Sequence, residues 1–158
     1  MTHIRIEPQA VEHAAGLFAA LRDARIYEHL DEGPPASVEA VADRIARLLQ
    51  GSPKDCGETW LNWTVFEGDT VVGYTQATIY DDGTASLAYV LSPQIWGRSV
   101  AYAASNLTID WLNAQPSISR IIADTEQGNT RSKALLKRLG FVFTHEIDGD
   151  VFYELKRD

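Results

Sequence analysis

The residues with the clearest chemical potential lie where an apolar run ends at a glycine-containing loop. Tyr89-Val-Leu-Ser-Pro93 is typical of the end of a strand, and Gln94-Ile-Trp-Gly97-Arg-Ser-Val-Ala101 leads directly into a segment with helical spacing. A loop that joins a strand to a helix in this way presents several backbone N–H groups and the positive helix end to one point. The sequence therefore predicts an anion-binding corner, although Gly97 taken alone is explained as well by a tight turn.

A second segment with a defined pattern follows downstream. Asn129-Thr-Arg-Ser132-Lys-Ala-Leu-Leu-Lys-Arg-Leu139-Gly140-Phe141 predicts a helix that begins at Asn129 and ends before a glycine. Asn129 is explained equally well as a simple N-cap, and Leu139-Gly140-Phe141 as a helix end followed by a core strand residue.

Together the two segments resemble the GCN5-related N-acetyltransferase (GNAT) superfamily. Its acetyl-CoA loop has the pattern Gln/Arg-x-x-Gly-x-Gly/Ala, and a later helix begins with Asn-x-x-Ser/Ala and ends in Leu-Gly-Phe. Gln94 and Gly97 match the loop, while Ser99 replaces its second small residue. Ile26-Tyr-Glu-His-Leu-Asp-Glu-Gly-Pro-Pro35, followed by Ser37 as a helix cap, is most similar to the RimJ/RimL-like branch.

The resemblance implies acetyl-CoA as co-substrate and assigns the residues that would hold it. Backbone groups of Tyr89, Val90 and Leu91 would pair with the pantetheine arm, and those of Tyr89 and Val90 would polarise the thioester carbonyl. The loop and helix start would grip the pyrophosphate, with Arg98 adding charge at the rim; they comprise Gln94, Trp96, Gly97, Arg98, Ser99, Val100 and Ala101. Asn129 and Ser132 would face the pantetheine arm. The basic residues of this helix, Arg131 and Lys133 before the others, suit the nucleotide phosphates in an acidic protein, although a solvated helix face is the simpler explanation for at least two of the four. Trp96 has a second interpretation, in which it packs the helix start against the sheet.

Acetyl transfer to an amine requires a neutral amine, a stabilised oxyanion and a proton for the departing thiolate. Many members of the superfamily use a tyrosine seven residues after the motif asparagine, where this chain has Leu136. The resemblance implies Ser132 as the acid instead; its rival role is that of an ordinary polar residue in a first helical turn. Ser86 and Ala103 stand where relatives often carry carboxylates, so the general base is open among Glu58, Asp81, Asp124, Glu126, His145, a bridging water and an amine that arrives neutral.

The elements that position these residues are visible in the hydrophobic period. His3 to Ile6 alternates as a strand, and Pro8 is expected to open a helix whose apolar face runs to Leu21. A short helical piece and a helix capped by Ser37 follow. The remaining predicted elements are strands over 60–66, 70–80 and 85–91, a helix over 100–111, a strand over 118–123, the helix from 129, and a hairpin of 141–145 with 151–155.

This order predicts one α/β (α+β) domain over residues 1–158. An antiparallel meander followed by a β-α-β step implies a mixed, mostly antiparallel central sheet with helices packed on both faces. The resemblance adds that the strand before the loop is splayed from its neighbour at the acetyl-CoA site.

Composition limits the partners of the protein. A formal net charge of −8 has the wrong sign for nucleic acid binding and favours a positively charged amine as ligand. The chain has no apolar run long enough for a membrane span and no apolar signal segment at its start, so we expect a cytoplasmic protein that does not bind membranes. One cysteine and four scattered histidines predict no metal site.

The leading hypothesis is an acetyl-CoA-dependent N-acetyltransferase that acts on a primary amine by direct attack in a ternary complex. A protein N-terminus and a small amine, such as a polyamine or an aminoglycoside, are both open as acceptors. The departures at Ser86, Ser99, Ala103 and Leu136 motivate an alternative, a non-catalytic acyl-CoA-binding regulatory or scaffold domain. A plain interaction module is the third hypothesis. A homodimer is plausible, although no exposed apolar stripe that demands it is visible in the sequence.

Overall fold

The alternating segments of the sequence pair into one sheet in the computed structural model, which describes residues 3–156. Its strands are β1 (Ile4–Pro8), β2 (Glu58–Glu67), β3 (Thr70–Tyr80), β4 (Thr84–Leu91), β5 (Arg120–Glu126), β6 (Val142–Ile147) and β7 (Asp150–Lys156). The helices are α1 (Ala14–Leu21), α2 (Val38–Leu49), α3 (Val100–Asn113) and α4 (Thr130–Arg138), with short 3-10 helices at Val11–His13, Ala24–His29 and Pro93–Ile95. The strand order is β1-β2-β3-β4-β5-β7-β6, and β4 and β5 form the parallel pair in an otherwise antiparallel sheet. The predicted mixed sheet is confirmed.

The expectation that Pro8 opens the first helix is wrong. Pro8 is the last residue of β1, where it lies opposite Trp63, and helical structure begins only at Val11. Since β1 is an edge strand, the missing N–H of proline is tolerated there. The Ser37 cap is confirmed, because its Oγ accepts a hydrogen bond from the Ala40 N–H at 3.0 Å.

The helices pack on both faces of the sheet, as predicted. α1 and α2 form one core cluster, which includes Tyr74 of β3 and touches Val90 of β4. α3 and α4 form a cluster on the opposite face, with Leu87 and Tyr89 of β4. Because side chains alternate along a strand, Val90 faces the α1/α2 side and Tyr89 faces the α3/α4 side.

The parallel strands β4 and β5 separate after only three residue pairs. Thr84, Ala85 and Ser86 pair with the segment 120–122, and no further pairs join the two strands in the described chain. β4 remains paired with β3 as far as Leu91, and β5 remains paired with β7 as far as Glu126. Each strand is therefore held on its outer edge while the inner edges diverge, which confirms the expected splay.

A bulge in β3 fixes the position of the end of β4. Val65 lies opposite Gly73, but Phe66 lies opposite Val71, so Val72 is an extra residue in β3. Gly73 has φ +152°, and a Cβ at this position would collide with the Val90 carbonyl oxygen and lie 2.8 Å from the Leu91 Cα. Only glycine allows the two backbones to approach so closely.

The edge strand β6 carries exposed apolar side chains that the sequence did not indicate. Val142, Phe143 and Ile147 are 68%, 54% and 53% exposed. Their exposure follows from the sheet order, because β6 is an edge strand and the hydrophobic period alone does not reveal which face is covered. Within residues 3–156, no helix combines the length and the apolar character needed to cross a bilayer.

Candidate active site

The opening between β4 and β5 leads into a cavity of about 530 Å³. The cavity brings together both segments that the sequence singled out. The predicted site residues that line it are Tyr89, Val90, Leu91, Trp96, Gly97, Ser99, Val100, Ala101, Asn129, Arg131 and Ser132.

Three predicted site residues do not line this cavity. The Arg98 guanidinium forms an ion pair with Glu67 at the end of β2, so its charge is directed away from the expected rim position. Lys133 Nζ donates a hydrogen bond to the Gln127 carbonyl oxygen at 2.9 Å. Gln94 is exposed on the short helix before the loop.

The loop before α3 bends through two left-handed residues. Gly97 has φ +81° and Ser99 has φ +65°, after which α3 begins at Val100. Ser99 occupies the N-cap position, but its side chain makes no capping bond, and its Oγ accepts instead from Arg138 Nη1 at 2.9 Å. The first N–H groups of a helix have no partner within the helix. The start of α3 therefore offers uncapped backbone donors beside the cavity, as an anion site requires.

Two arginines of α4 reach across to the opposite wall. The Arg131 guanidinium carbon lies 3.3 Å from the centre of the Trp96 ring, and that of Arg138 lies 3.9 Å from the centre of the Tyr102 ring. All four residues line the cavity, so this acidic protein has a local excess of positive charge there. Trp96 also donates from Nε1 to the Leu91 carbonyl oxygen at 3.1 Å, so it both supports the loop and faces the cavity.

The first turn of α4 places two hydroxyl groups in contact. Asn129 Oδ1 accepts from the Ser132 N–H at 3.1 Å, which confirms its N-cap interpretation. Ser132 Oγ lies 2.7 Å from the Tyr89 hydroxyl. Burial raises the pKa of Tyr89 to about 12, and the hydrogen bond with Ser132 only partly opposes this effect. The phenol is therefore protonated at neutral pH.

The phenol of Tyr89 is a candidate that the sequence analysis missed, because only backbone roles were assigned to this residue. Strand alternation was the available signal, since it places Tyr89 and Val90 on opposite faces of the sheet. The distance to Ser132 depends on the packing of α4, which alternation alone does not define.

Among the five side chains considered as general base, Asp124 is the one that lines the cavity of the described chain. Asp124 is exposed on β5, but partial desolvation of its carboxyl group raises the pKa, and the charge of Asp150 raises it further. Glu126 lies 3.0 Å from His29 Nδ1, and Glu58 accepts from Trp60 Nε1 at 2.8 Å, so both have partners elsewhere. A carboxylate whose pKa is raised toward neutrality is better matched to accept a proton from an ammonium group.

A sheet that splays beside an uncapped helix start, with hydroxyl and carboxyl groups at the opening, is the arrangement that the resemblance to the GNAT superfamily implied. The family model described as acetyltransferase (GNAT) domain matches residues 3–142, and the chain belongs to this family. The family model therefore covers the chain from residue 3 to the start of β6.

Solved structures with the same fold include three acetyltransferases. A ribosomal-protein-S5-alanine acetyltransferase from Vibrio fischeri is 19% identical, with a TM-score of 0.80 over 100% of this chain and 95% of that one. A spermidine N-acetyltransferase from Vibrio cholerae, in complex with CoA and spermine, is 13% identical, with a TM-score of 0.76 over 98% and 95%. An aminoglycoside acetyltransferase in complex with coenzyme A is 16% identical, with a TM-score of 0.78 over 98% and 95%. At these identities the likeness shows the fold. No curated protein matches the chain.

Proposed function

We propose that the protein is an N-acetyltransferase that moves the acetyl group of acetyl-CoA to a primary amine by direct attack in a ternary complex. The observation that carries this proposal is the β4–β5 opening, which meets the uncapped start of α3 in one cavity. Membership of the acetyltransferase family and the coenzyme A complexes of two proteins with the same fold support it.

The coenzyme would lie along the free edge of β4. Its pantetheine arm would pair with backbone groups of Tyr89, Val90 and Leu91, in place of the ladder that β5 does not provide. Its pyrophosphate would accept from the amides between Gly97 and Ala101. Arg131 and Arg138 would exchange their aromatic partners for phosphate oxygens, to which a guanidinium makes paired hydrogen bonds.

The side chains at the opening supply the proton transfers. Asp124 removes a proton from the acceptor ammonium, and the neutral nitrogen attacks the thioester carbonyl carbon while a β4 amide stabilises the oxyanion. The nitrogen loses a second proton to water and the C–S bond breaks. The thiolate takes a proton from Ser132 Oγ, which takes one from the Tyr89 hydroxyl, and solvent reprotonates Tyr89.

Replacing Asp124 with asparagine is expected to lower kcat/KM about 100-fold at pH 7. The pKa of the Asp124 carboxyl group is raised, and this group must be deprotonated to act as a base. The kcat/KM of the native protein should therefore fall as the pH drops through that pKa. In the variant, the loss should shrink as the pH rises toward the pKa of the acceptor amine, because the amine then arrives neutral. Full pH profiles of kcat/KM measure this difference.

Glu126→Gln is the matched control for Asp124→Asn. Glu126 lies two residues further along β5. Its side chain contacts His29 and does not line the cavity. Its profile should follow that of the native protein. A loss in Asp124→Asn that is equal at every pH would contradict the assignment of Asp124 as base.

The acceptor within this proposal is a protein N-terminus or a small amine. The RimJ/RimL-like resemblance supports the first, and the spermidine and aminoglycoside acetyltransferases with the same fold illustrate the second. The test is a panel of amines in which release of free thiol from acetyl-CoA is followed. Acceleration by at least one amine supports the proposal; tight coenzyme binding with no amine-dependent release replaces it with the acyl-CoA-binding alternative.

A further inference from the structure

The main cavity continues from the β4–β5 opening onto the α1/α2 face of the sheet. Its far wall is formed by Glu32, Arg44, Tyr74 and Gln76, and the same four residues line a second cavity of about 190 Å³. We call these four residues the shared wall. Open space therefore borders Arg44 on both sides of this wall.

Arg44 is a partly buried cation that interacts with the charge of Glu32 and has a hydrogen bond with the Tyr74 side chain. Its guanidinium carbon lies 5.6 Å from the centre of the Tyr74 ring, and no carboxylate within residues 3–156 forms an ion pair with it at 4.0 Å or less. Burial lowers the pKa of Arg44, but Tyr74, Glu32 and Tyr27 together outweigh this effect, so the net shift of the pKa is upward and the group stays charged. A charge that is partly removed from water is costly unless an opposite charge and hydrogen-bond acceptors compensate for it.

Arg44 is also close to the place of reaction. Tyr74 pairs directly with Val90 across β3 and β4, and neighbouring strands are about 4.8 Å apart. Tyr74 and Val90 belong to the same core cluster, so their side chains lie on the same face of the sheet. The Tyr74 ring that Arg44 contacts therefore belongs to the strand next to the backbone proposed to hold the thioester.

The cavity is lined by two carboxylates and three guanidinium groups, which belong to Glu32, Asp124, Arg44, Arg131 and Arg138. Asp124 lies on β5, at the opening, and Arg44 lies at the shared wall behind β3. An acceptor that contacts both Asp124 and Arg44 carries a positive amine and a negative group. Carboxylate is the anion whose two oxygens match the fork of a guanidinium.

We propose that the acceptor is a free amino acid, whose carboxylate is bound by Arg44 while its amine faces the thioester. This inference rests on the proposed acetyltransferase function and narrows its substrate class. A polyamine is the contrary case, in which Glu32 binds the cationic chain and Arg44 only supports the shared wall through its contact with Tyr74.

The test compares acceptors matched in shape. L-Alanine, L-leucine and L-phenylalanine are each assayed against their amides and their decarboxylated amines, with spermidine as the polycation. We expect kcat/KM for the amino acids to exceed that for the amides by tenfold or more, because a hydrogen-bonded charge pair is lost in the amide. Equal rates for acids and amides, or a preference for spermidine that Glu32→Gln removes, would overturn the inference.

Substitution of Arg44 separates recognition from structural support. In Arg44→Gln, KM for the amino acids should rise at least tenfold, while kcat/KM for the amides and the Kd of acetyl-CoA stay unchanged. Arg44→Lys should restore part of the preference, because lysine keeps the charge without the paired geometry. Arg22→Gln is the control, since Arg22 also stacks on an aromatic ring, that of Phe18, but lines neither cavity.

The outcomes distinguish this inference from the function on which it rests. If amines without a carboxylate are acetylated as fast as the amino acids, or if Arg44→Gln slows acids and amides equally, the inference fails and the acetyltransferase remains. If acetyl-CoA binds and no amine accelerates thiol release, both fail together.

Discussion

Replacement of Gly97 by glutamate is expected to abolish measurable acetyl-CoA binding, with a rise in Kd of more than about 100-fold. Gly97 has φ +81°, a conformation that costs an L-residue roughly 1–2 kcal/mol. The new carboxylate would also stand at the amides proposed to hold the pyrophosphate, where it repels the ligand and competes for the donors. No atom lies within 4 Å of a Cβ built at Gly97, so the side chain enters open space and the fold is retained.

Two variants separate the causes of this loss. Gly97→Ala introduces the same backbone strain without the charge, and its Kd should rise far less. Gly51→Glu introduces the same side chain at φ +84°, also with no atom within 4 Å, at a position outside the cavity. Calorimetric titration and ligand-induced thermal protection measure all three. Native affinity in Gly97→Glu would show that the α3 corner does not bind the coenzyme.

Ser132→Ala is expected to lower kcat by about 10² to 10³-fold with little change in the Kd of acetyl-CoA. General acid catalysis contributes an effect of this size, and the substitution removes the hydroxyl that would protonate the thiolate. The helix itself should persist, because the Asn129 side chain caps the Ser132 N–H rather than its side chain. The assay is turnover at saturating acetyl-CoA, with the Kd determined separately.

Tyr89→Phe tests whether the two hydroxyls act as one unit. If protons pass from Tyr89 to Ser132, the single variants should show losses of similar size, and the double variant should lose little more than either. Tyr153→Phe is the control, since Tyr153 is also buried but does not line the cavity. Additive losses in the double variant would indicate that the hydroxyls act independently, and unchanged kcat in Ser132→Ala would remove this residue from catalysis.

Local signals in the sequence were sufficient for most elements and for the corner before α3. The change of hydrophobic period at Thr59 and the break at Ser92-Pro93 depend only on neighbouring residues, and most predicted strands and helices agree with the structure, although the first helical segment begins at Val11 rather than at Pro8. The splay of β4 from β5 could not be predicted from such local signals. It arises because β4 bonds outward to β3 while β5 bonds outward to β7, and pairing between distant strands leaves no mark in either strand alone. The resemblance to a family supplied it.

Contacts between side chains that are distant in the sequence could not be predicted from it. Arg98 has the position of a phosphate ligand in the loop, but the end of β2 brings Glu67 to it. Asp124 was one of five equal candidates until the opening of the sheet left it in the cavity. No pattern in the sequence of α2 distinguished Arg44, because its proposed role depends on the cavity that it lines together with Asp124.

The short seam between β4 and β5 has a mechanical consequence. The sheet consists of two plates, one built from residues up to Leu91 and the other from Arg120 onward, and they are fastened at one end by three residue pairs. Each plate is almost continuous in sequence and has its own backbone ladders, while one core cluster under α3 and α4 contacts both plates. A molecule bound between the two plates would fix their relative position. After its release, the three residue pairs between β4 and β5 would act as a hinge.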